Sequence, residues 1–252
     1  MLKKILTVVL AGVMLLSVAA CGEPATDGGE KVYVVASDTT FAPFEFQKDG
    51  EFVGIDMELM AAIAEDQGFE YKLDILGFDA AVQALSVGQC DAVIAGMSIT
   101  DKRKETFDFT EPYFDSGVVM AIAADDDEIK SYEDLAGKTV SAKRGTEGYT
   151  FAEANKDKYG YELVVFDDSA NMYEDVKIGN SVACFEDYPV VGYAISQDIG
   201  LKIVTEKEQG SSYGIAVKKG ENAELLEMLN AGLANVKANG KYDEIVNKYI
   251  SK

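Results

Sequence analysis

The chain has 252 residues and carries 44 acidic against 23 basic side chains, a formal net charge of −21 at pH 7. A surface of this charge repels nucleic acid and adheres poorly to anionic membranes, so nucleic-acid binding is excluded. The sequence contains no histidine, which excludes Ser-His-Asp and Cys-His nucleophile systems and every metal site that requires imidazole. We therefore expect no catalytic residue, no metal and no cofactor.

Residues 1–20 are predicted to be a lipoprotein signal peptide. Lys3 and Lys4 precede an almost unbroken apolar run, and small residues lead to Cys21. This ending resembles the lipobox of bacterial lipoproteins, in which the cysteine sulfur is acylated, so Cys21 is the predicted lipidation site. A transmembrane anchor is the alternative, but the 16 residues between Lys4 and Cys21 are fewer than the roughly 20 that span a bilayer. Plain secretion is a second alternative.

Residues 21–30 are rich in Gly, Pro and acidic residues and show no periodicity, which predicts a flexible tether. From Lys31 onward, short β-type runs alternate with amphipathic helices, the pattern of an α/β protein. The predicted elements of the first unit are strands over Lys31–Ala36, Tyr71–Ile75 and Ala92–Ala95, and helices from Asp56 to Gly68 and over Asp79–Ser86.

The same alternation returns in a second unit. Its predicted elements are strands over Thr139–Ala142, Leu163–Phe166 and Val182–Phe185, and helices over Thr146–Lys156 and Asn171–Lys177. Two β-rich stretches, Ser116–Ala123 and Ser212–Val217, fall at the borders of this unit and are predicted crossovers. A helix from Leu225 to Val236 has an apolar stripe that the first unit would cover.

The chain is thus predicted to form two α/β lobes joined by a two-strand hinge. Lobe 1 comprises residues 31–114 and 214–252, and lobe 2 comprises residues 115–213, hinge strands included. A double crossover of this kind places a ligand groove between the lobes.

Polar residues follow the third predicted strand. Gly96 permits close backbone approach, and Ser98 offers a hydroxyl and an N–H. Thr100 or Asp101 can cap a short helix whose first turn carries Arg103. An exposed basic face around Arg103 is the alternative.

Further candidates come from both units. Lys143 to Thr146 lies between a strand and a helix and is a possible anion-binding turn. Asp187 follows an apolar strand, and a solvated turn is its alternative. Asp38 and Phe41 follow the first strand.

Several apolar residues are predicted to be buried. Phe44 and Phe46 are more typical of core than of a ligand wall. Cys90 and Cys184 each lie within an apolar run, which predicts buried thiols; a disulfide is the alternative, and it requires Cα atoms within about 7 Å.

With these segments in place, the sequence resembles the polar amino-acid binding proteins of ABC importers, and within solute-binding protein family 3 the glutamine-binding branch. The resemblance extends from about Lys31 to Tyr249 and implies a type II periplasmic-binding-protein-like fold. It is carried by Asp38–Phe46, Gly54-Ile55-Asp56, Gly96–Arg103, Asp108-Phe109-Thr110 with Tyr113, and Asn239-Gly240-Lys241-Tyr242.

The resemblance implies a role for each candidate. Arg103 binds the ligand α-carboxylate together with Ser98 and the N–H of Thr146, whereas Asp187 and the carbonyl of Gly96 bind the ligand ammonium. These partners neutralise both charges of an amino acid.

The remaining candidates surround the ligand side chain. The resemblance implies that Phe41 and Phe78 sandwich its aliphatic part, that Asp38 meets a donor and that Lys143 meets a carbonyl. Glutamine fits best because its amide offers both groups.

Two acids depart from the family pattern. Glu147 stands where a small residue is usual, and Glu186 precedes Asp187. They leave open a cationic or different polar ligand.

The resemblance also implies a monomer that serves ABC permease subunits outside the cytoplasm, held to the membrane by lipid on Cys21. Two alternatives remain at this stage: a ligand-sensor module for a receptor, and a dehydratase on the same fold.

Overall fold

The computed structural model describes residues 31–250. The predicted signal peptide, the tether and Cys21 lie outside the described residues. Within residues 31–250, none of the helices combines the length and the apolar character needed to cross a membrane.

The described residues form strands, eight α-helices and one short 3-10 helix (Tyr132–Leu135). The strands are β1 Val32–Ser37, β2 Phe46–Lys48, β3 Glu51–Val53, β4 Glu70–Ile75, β5 Ala92–Val93, β6 Phe107–Phe109, β7 Phe114–Ala123, β8 Thr139–Lys143, β9 Glu162–Phe166, β10 Ala183–Asp187, β11 Leu201–Ile203, β12 Glu208–Tyr213 and β13 Ala216–Lys218. The helices are α1 Ile55–Gln67, α2 Phe78–Ser86, α3 Asp101–Lys104, α4 Glu147–Tyr159, α5 Ser169–Lys177, α6 Tyr188–Ser196, α7 Ala223–Ala238 and α8 Lys241–Tyr249.

Two sheets define two lobes. The first has the strand order β4-β1-β5-β13-β6, and the second has the order β11-β7-β10-β8-β9, with β12 also paired to β7. Parallel pairs β1–β4, β1–β5, β10–β8 and β8–β9 place their carboxyl ends together, with β13 and β7 running antiparallel. Ligands of open α/β sheets bind outside these carboxyl ends, which is where the predicted site residues lie.

The chain enters the second sheet through β7 and leaves it through β12. These strands pair antiparallel, with Ser116 opposite Ser211 and Phe114 opposite Tyr213. The predicted crossovers over Ser116–Ala123 and Ser212–Val217 are both wrong in extent. Most of the first stretch lies inside the second sheet, where β7 pairs with β10 and β11. The second stretch is divided, because its apolar end forms β13, which pairs with β5 and β6 in the first sheet.

Each lobe has its own apolar core. Helix α7 packs against α1 in the core of the first lobe, and the predicted stripe along α7 is confirmed as buried at Leu225, Leu229, Leu233 and Val236. In the second lobe, α4 and α5 cover opposite faces, since Phe151 and Met172 belong to different clusters. Burial of apolar area is the main favourable term for each lobe.

Local signals explain the helix boundaries. Helix α1 ends at Gly68, whose φ of 69° is left-handed and whose N–H donates to the carbonyl of Ala64 at 2.9 Å, as expected of a glycine that ends a helix. Helix α3 begins at Thr100, whose Oγ1 accepts the N–H of Arg103 at 3.2 Å. The predicted cap of this helix is confirmed for Thr100.

The aromatic residues after β1 behave differently from one another. Phe44 is fully buried, as predicted, but Phe46 is only half-buried. The prediction that Phe46 is core is therefore wrong. Its strand belongs to a two-stranded hairpin outside both sheets, and its ring packs against those of Tyr193 and Tyr249.

Candidate ligand-binding site between the two lobes

An ion pair joins the two lobes at the carboxyl end of β1. Asp38 is fully buried and Lys143 is 1% exposed, and the Nζ of Lys143 donates to Oδ2 of Asp38. Oδ1 of Asp38 accepts the backbone N–H groups of Thr39 at 2.6 Å and Phe78 at 3.1 Å. Lys143 also donates to the carbonyl of Thr40 at 3.3 Å. The pair is thus held by further hydrogen bonds, which a buried ion pair needs to offset its desolvation.

Two aromatic rings lie beside cationic groups of the site. The Nζ of Lys143 lies 5.1 Å from the centre of the Phe41 ring, and the Cζ of Arg103 lies 5.3 Å from that of Phe78. Both rings are buried. Phe78 begins α2, so its backbone and its ring both face the site.

Gly96 allows the backbone to approach the Phe41 ring. Its φ is +52°, and a Cβ at this position would lie 2.4 Å from Cε1 of Phe41. A side chain here would clash and would also strain the backbone. Glycine is therefore required at this wall of the site, as the sequence predicts.

Arg103 reaches from the first lobe to the second. Its Nη1 donates to the carbonyl of Ser98 at 2.8 Å, and its Nη2 donates to the carbonyl of Gly145 at 3.0 Å. The side chain is 12% exposed. The alternative of an exposed basic face does not apply to Arg103, although Lys102 and Lys104 on the same short helix are exposed.

The turn before α4 presents a helix start to the site. Oγ1 of Thr146 donates to the carbonyl of Lys143 at 2.8 Å and accepts the N–H of Tyr149 at 3.2 Å. The helix lies against β10, since a Cβ on Gly148 would be 2.5 Å from the carbonyl oxygen of Phe185. The first N–H groups of α4 carry its positive dipole end.

Asp187 ends β10 as a buried carboxylate, 3% exposed. Its Oδ2 accepts the hydroxyl of Tyr213 at 2.6 Å, and that hydroxyl accepts from Ser116 at 3.0 Å. Its Oδ1 has no hydrogen-bond partner in the described part of the chain. Burial, reinforced by the charge of Glu186, raises the pKa of Asp187 to about 7, against the lowering effects of Tyr213 and Arg103. The alternative of a solvated turn is wrong for this residue.

Glu147 and Glu186, the two acids that depart from the family pattern, both have partners in the structure. Glu186 is fully buried and accepts from Ser169 at 2.8 Å, from Tyr173 at 3.2 Å and from the N–H of Asp187 at 2.9 Å. Burial raises the pKa of Glu186, and nearby Lys143 opposes the shift. Glu147 lies 3.8 Å from Nη2 of Arg103.

The predicted site residues thus form one connected group. Each of them contacts another member or the hydroxyl of Tyr213; the set is Asp38, Phe41, Phe78, Gly96, Ser98, Arg103, Lys143, Thr146 and Asp187. Within residues 31–250, no cluster of Cys, Asp and Glu has the geometry to hold a metal ion.

The chain matches the family model of the bacterial extracellular solute-binding proteins, family 3, over residues 33–252. The chain belongs to this family. The resemblance predicted from the sequence is confirmed at the level of the family, and the two-lobed fold of its type II members is confirmed by the two sheets described above.

Proteins similar to this chain carry different names. The ABC transporter arginine-binding protein 1 of Escherichia coli strain K12 is 32% identical over 216 residues, which cover 83% of this chain and 87% of that protein. Substrate-binding domain 2 of GlnP from Lactococcus lactis, solved in an open conformation, is 46% identical and covers 88% of this chain and 96% of that one, with a TM-score of 0.62. An ancestral arginine-binding protein bound to glutamine is 37% identical and covers 88% of this chain and 98% of that one, with a TM-score of 0.81.

The open GlnP domain has the higher sequence identity but the lower TM-score, and the ancestral protein bound to glutamine has the higher TM-score. In this chain, Arg103 and Lys143 both contact the other lobe.

Tyr213 and Ser116 are site residues that sequence reasoning missed. They lie on the hinge strands β12 and β7, and their hydroxyls support Asp187. Neither belongs to a motif, and Tyr213 stands in a β-rich run where a tyrosine indicates only strand propensity. The sole available signal was the prediction that both stretches cross between lobes.

Proposed function

We propose that this chain is the extracytoplasmic substrate-binding lipoprotein of an ABC amino-acid importer, and that it binds a free polar amino acid, with glutamine favoured. One observation carries the proposal: Asp187 and Arg103 are buried opposite charges in one site, and Oδ1 of Asp187 has no partner among residues 31–250. A binding role follows from this pair, and no chemical step is needed to explain it.

The two charges suit the backbone of an amino acid. The carboxylate of Asp187 accepts the ligand ammonium, with the carbonyl of Gly96 beside it. The guanidinium of Arg103 donates to the ligand carboxylate, with Ser98 and the N–H of Thr146. Each ligand charge left unpaired in a closed site would cost several kcal/mol, so the site selects a zwitterion.

The Asp38–Lys143 pair favours an uncharged polar side chain. A ligand guanidinium would need Asp38 as its counter-ion, but Lys143 already neutralises Asp38 and would repel a second cation. Ligand glutamate would gain Lys143 and face Asp38. A glutamine amide donates to Asp38 and accepts from Lys143, so it completes the pair without competing for charge.

The related proteins are compatible with this choice. A family member is named for arginine, and an ancestral arginine-binding protein is described as bound to glutamine. These names support a common mode of binding for the ligand backbone, with different ligand side chains in different members. The residues around the ligand side chain decide among them, and in this chain those residues are Asp38 and Lys143.

Delivery of the ligand to the permease depends on closure of the two lobes around it. Ligand bridges Asp38, Phe41 and Arg103 of lobe 1 and Lys143 and Asp187 of lobe 2, so it stabilises the closed arrangement over the open one. We propose that this monomer, with lobe 1 at residues 31–114 and 214–252, presents the closed shape to permease subunits.

A thermal-shift screen of the twenty amino acids tests the ligand. Glutamine at 100 times its dissociation constant should add about 2.7 kcal/mol of stability, and arginine, histidine and glutamate should shift the transition less. A larger shift with arginine than with glutamine would overturn the choice of ligand and leave the amino-acid site intact. The absence of a shift with every amino acid would overturn the site itself.

Lipid attachment is tested by replacing Cys21 with Ala in cells. The wild-type chain should fractionate with membranes and incorporate labelled fatty acid, whereas Cys21→Ala should do neither, because the thiol that carries the lipid is gone. Cys90→Ala is the matched control, since this thiol is buried, and it should remain in the membrane fraction. Equal membrane association of the wild-type and Cys21→Ala chains would contradict the anchor.

A further inference from the structure

Two carboxyl groups are buried together behind the site. Glu45 and Asp56 are both fully buried, and the backbone N–H of Asp56 donates to the carbonyl of Phe44, the residue before Glu45. Two ionised carboxylates buried close together repel each other, and each has already lost its hydration. Neither acid belongs to the ligand-binding set, so their burial calls for another explanation.

The hydrogen bonds distinguish the two acids. Oδ2 of Asp56 accepts the N–H of Gly96 at 2.8 Å and the hydroxyl of Tyr113 at 2.8 Å. Asp56 also lies in the first turn of α1, where the helix dipole favours a negative charge. Both side-chain oxygens of Glu45, and Oδ1 of Asp56, are buried and have no hydrogen-bond partner among residues 31–250.

The backbone ties the same two acids to the ligand wall. The carbonyl of Glu45 accepts the N–H of Phe41 at 2.7 Å, and the N–H of Asp56 donates to the carbonyl of Phe44 at 2.9 Å. Gly96, which Asp56 holds, packs against the Phe41 ring. The acid pair therefore connects the loop of Phe41, the start of α1 and the strand end at Gly96.

We propose that Glu45 and Asp56 share one proton, that the proton resides on Glu45, and that the pair is a positioning element for Gly96 and Phe41. Glu45 donates to Oδ1 of Asp56, and the ionised Asp56 accepts from Gly96 and Tyr113. All the buried oxygens of Asp56 are then satisfied, and one buried negative charge remains instead of two. The positioning role rests on the proposed function, because it assumes that Phe41 and Gly96 contact the ligand.

Other charged and titratable groups face the pair. Asp38 and Lys143 act on Glu45, with opposite effects, and Tyr113 and Tyr242 face Asp56. Burial and then the charge of Asp56 raise the pKa of Glu45 well above its ordinary value, and burial raises the pKa of Asp56 to about 6. These directions agree with a pair that holds one proton near neutral pH.

The first test compares the unfolding of the wild-type chain and Glu45→Gln in urea, without ligand, from pH 5 to pH 8. A carboxyl whose folded-state pKa is raised stabilises the protein at low pH, and this contribution is lost as pH rises from the unfolded pKa to the folded one. The folding equilibrium constant of the wild type relative to Glu45→Gln should therefore fall with rising pH, by up to tenfold (about 1.4 kcal/mol) for each pH unit. Glu65→Gln, exposed on α1, is the control and should show no such trend.

The second test measures glutamine affinity by calorimetry at pH 7. Glu45→Gln keeps a donor for Asp56 and should bind within about threefold of the wild type, whereas Glu45→Leu removes the donor and should bind at least tenfold more weakly. The proposal of a shared proton is overturned, whatever the ligand is, if the folding equilibrium constant of the wild type relative to that of Glu45→Gln stays constant or rises with pH. Equal affinities of Glu45→Gln and Glu45→Leu overturn the positioning role.

Discussion

At the scale of single residues, the site depends on how buried charges are satisfied. Asp187 has one oxygen held by Tyr213 and the other without a partner among the described residues. Its pKa of about 7 means that a proton competes with the ligand ammonium for this carboxylate near neutral pH. Arg103, by contrast, is charged at every physiological pH, so its part of the site does not depend on pH.

Glutamine affinity should therefore fall in acid. Below about pH 7 the ligand must displace a proton from Asp187, so the dissociation constant should rise by up to tenfold for each pH unit. Calorimetry between pH 8 and pH 5.5, in buffers of different ionisation enthalpy, measures both the affinity and the proton released. An affinity that is the same at both ends of this range would contradict the assignment of Asp187 to the ammonium.

Arg103→Ala should weaken binding far more than a neighbouring substitution. Loss of the guanidinium strands a buried carboxylate and should cost about 3–5 kcal/mol, which is more than a hundredfold in affinity. Arg144→Ala is the matched control, because Arg144 pairs with Asp167 at the surface, and it should bind within about twofold of the wild type. A loss below tenfold for Arg103→Ala, measured by calorimetry, would argue against its contact with the ligand.

Residue types and their positions at strand ends were enough to predict the charged candidates, but not their partners. Asp38 and Lys143 were each expected to meet the ligand side chain, and the structure adds that they meet each other. Pairing across lobes depends on how far the lobes close, which no local pattern encodes. Tyr213 was missed for the same reason, since its hydroxyl matters only after the hinge strands are placed beside β10.

At the scale of elements, helix α4 and strand β10 position the site residues that come from the second lobe. The helix start at Thr146 and the strand end at Asp187 are held together by the close approach at Gly148. Periodicity predicted both elements. It could not predict α6, whose residues are apolar on several faces, nor the short β2–β3 hairpin.

Two helical glycines should respond in opposite directions to alanine. Gly148→Ala places a Cβ 2.5 Å from the carbonyl oxygen of Phe185, and we expect a loss of about 1–3 kcal/mol in unfolding free energy through overpacking. Gly192→Ala, in α6, meets nothing within 4 Å and should gain roughly 0.5–1 kcal/mol from helix propensity. Urea denaturation of both variants checks this pair, and a neutral Gly148→Ala would show that α4 can move away from β10.

At the scale of the whole molecule, two features link ligand binding to closure. Arg103 and Lys143 each contact the opposite lobe, and the hydroxyls of Ser116 and Tyr213 connect both hinge strands to Asp187. The division into two lobes follows from the sequence, because the two runs of alternating strands and helices are separated by β-rich borders. The degree of closure does not follow from the sequence, because it depends on the balance between the contacts made in the closed form and the hydration regained in the open form.

The central claim is that a zwitterion is neutralised at both ends only when the lobes close around it, and small-angle X-ray scattering during a glutamine titration tests it most directly. We expect the radius of gyration to fall with a midpoint equal to the calorimetric dissociation constant, and Arg103→Ala to show no change at the same concentrations. A radius of gyration that stays constant while calorimetry reports saturated binding would contradict the account.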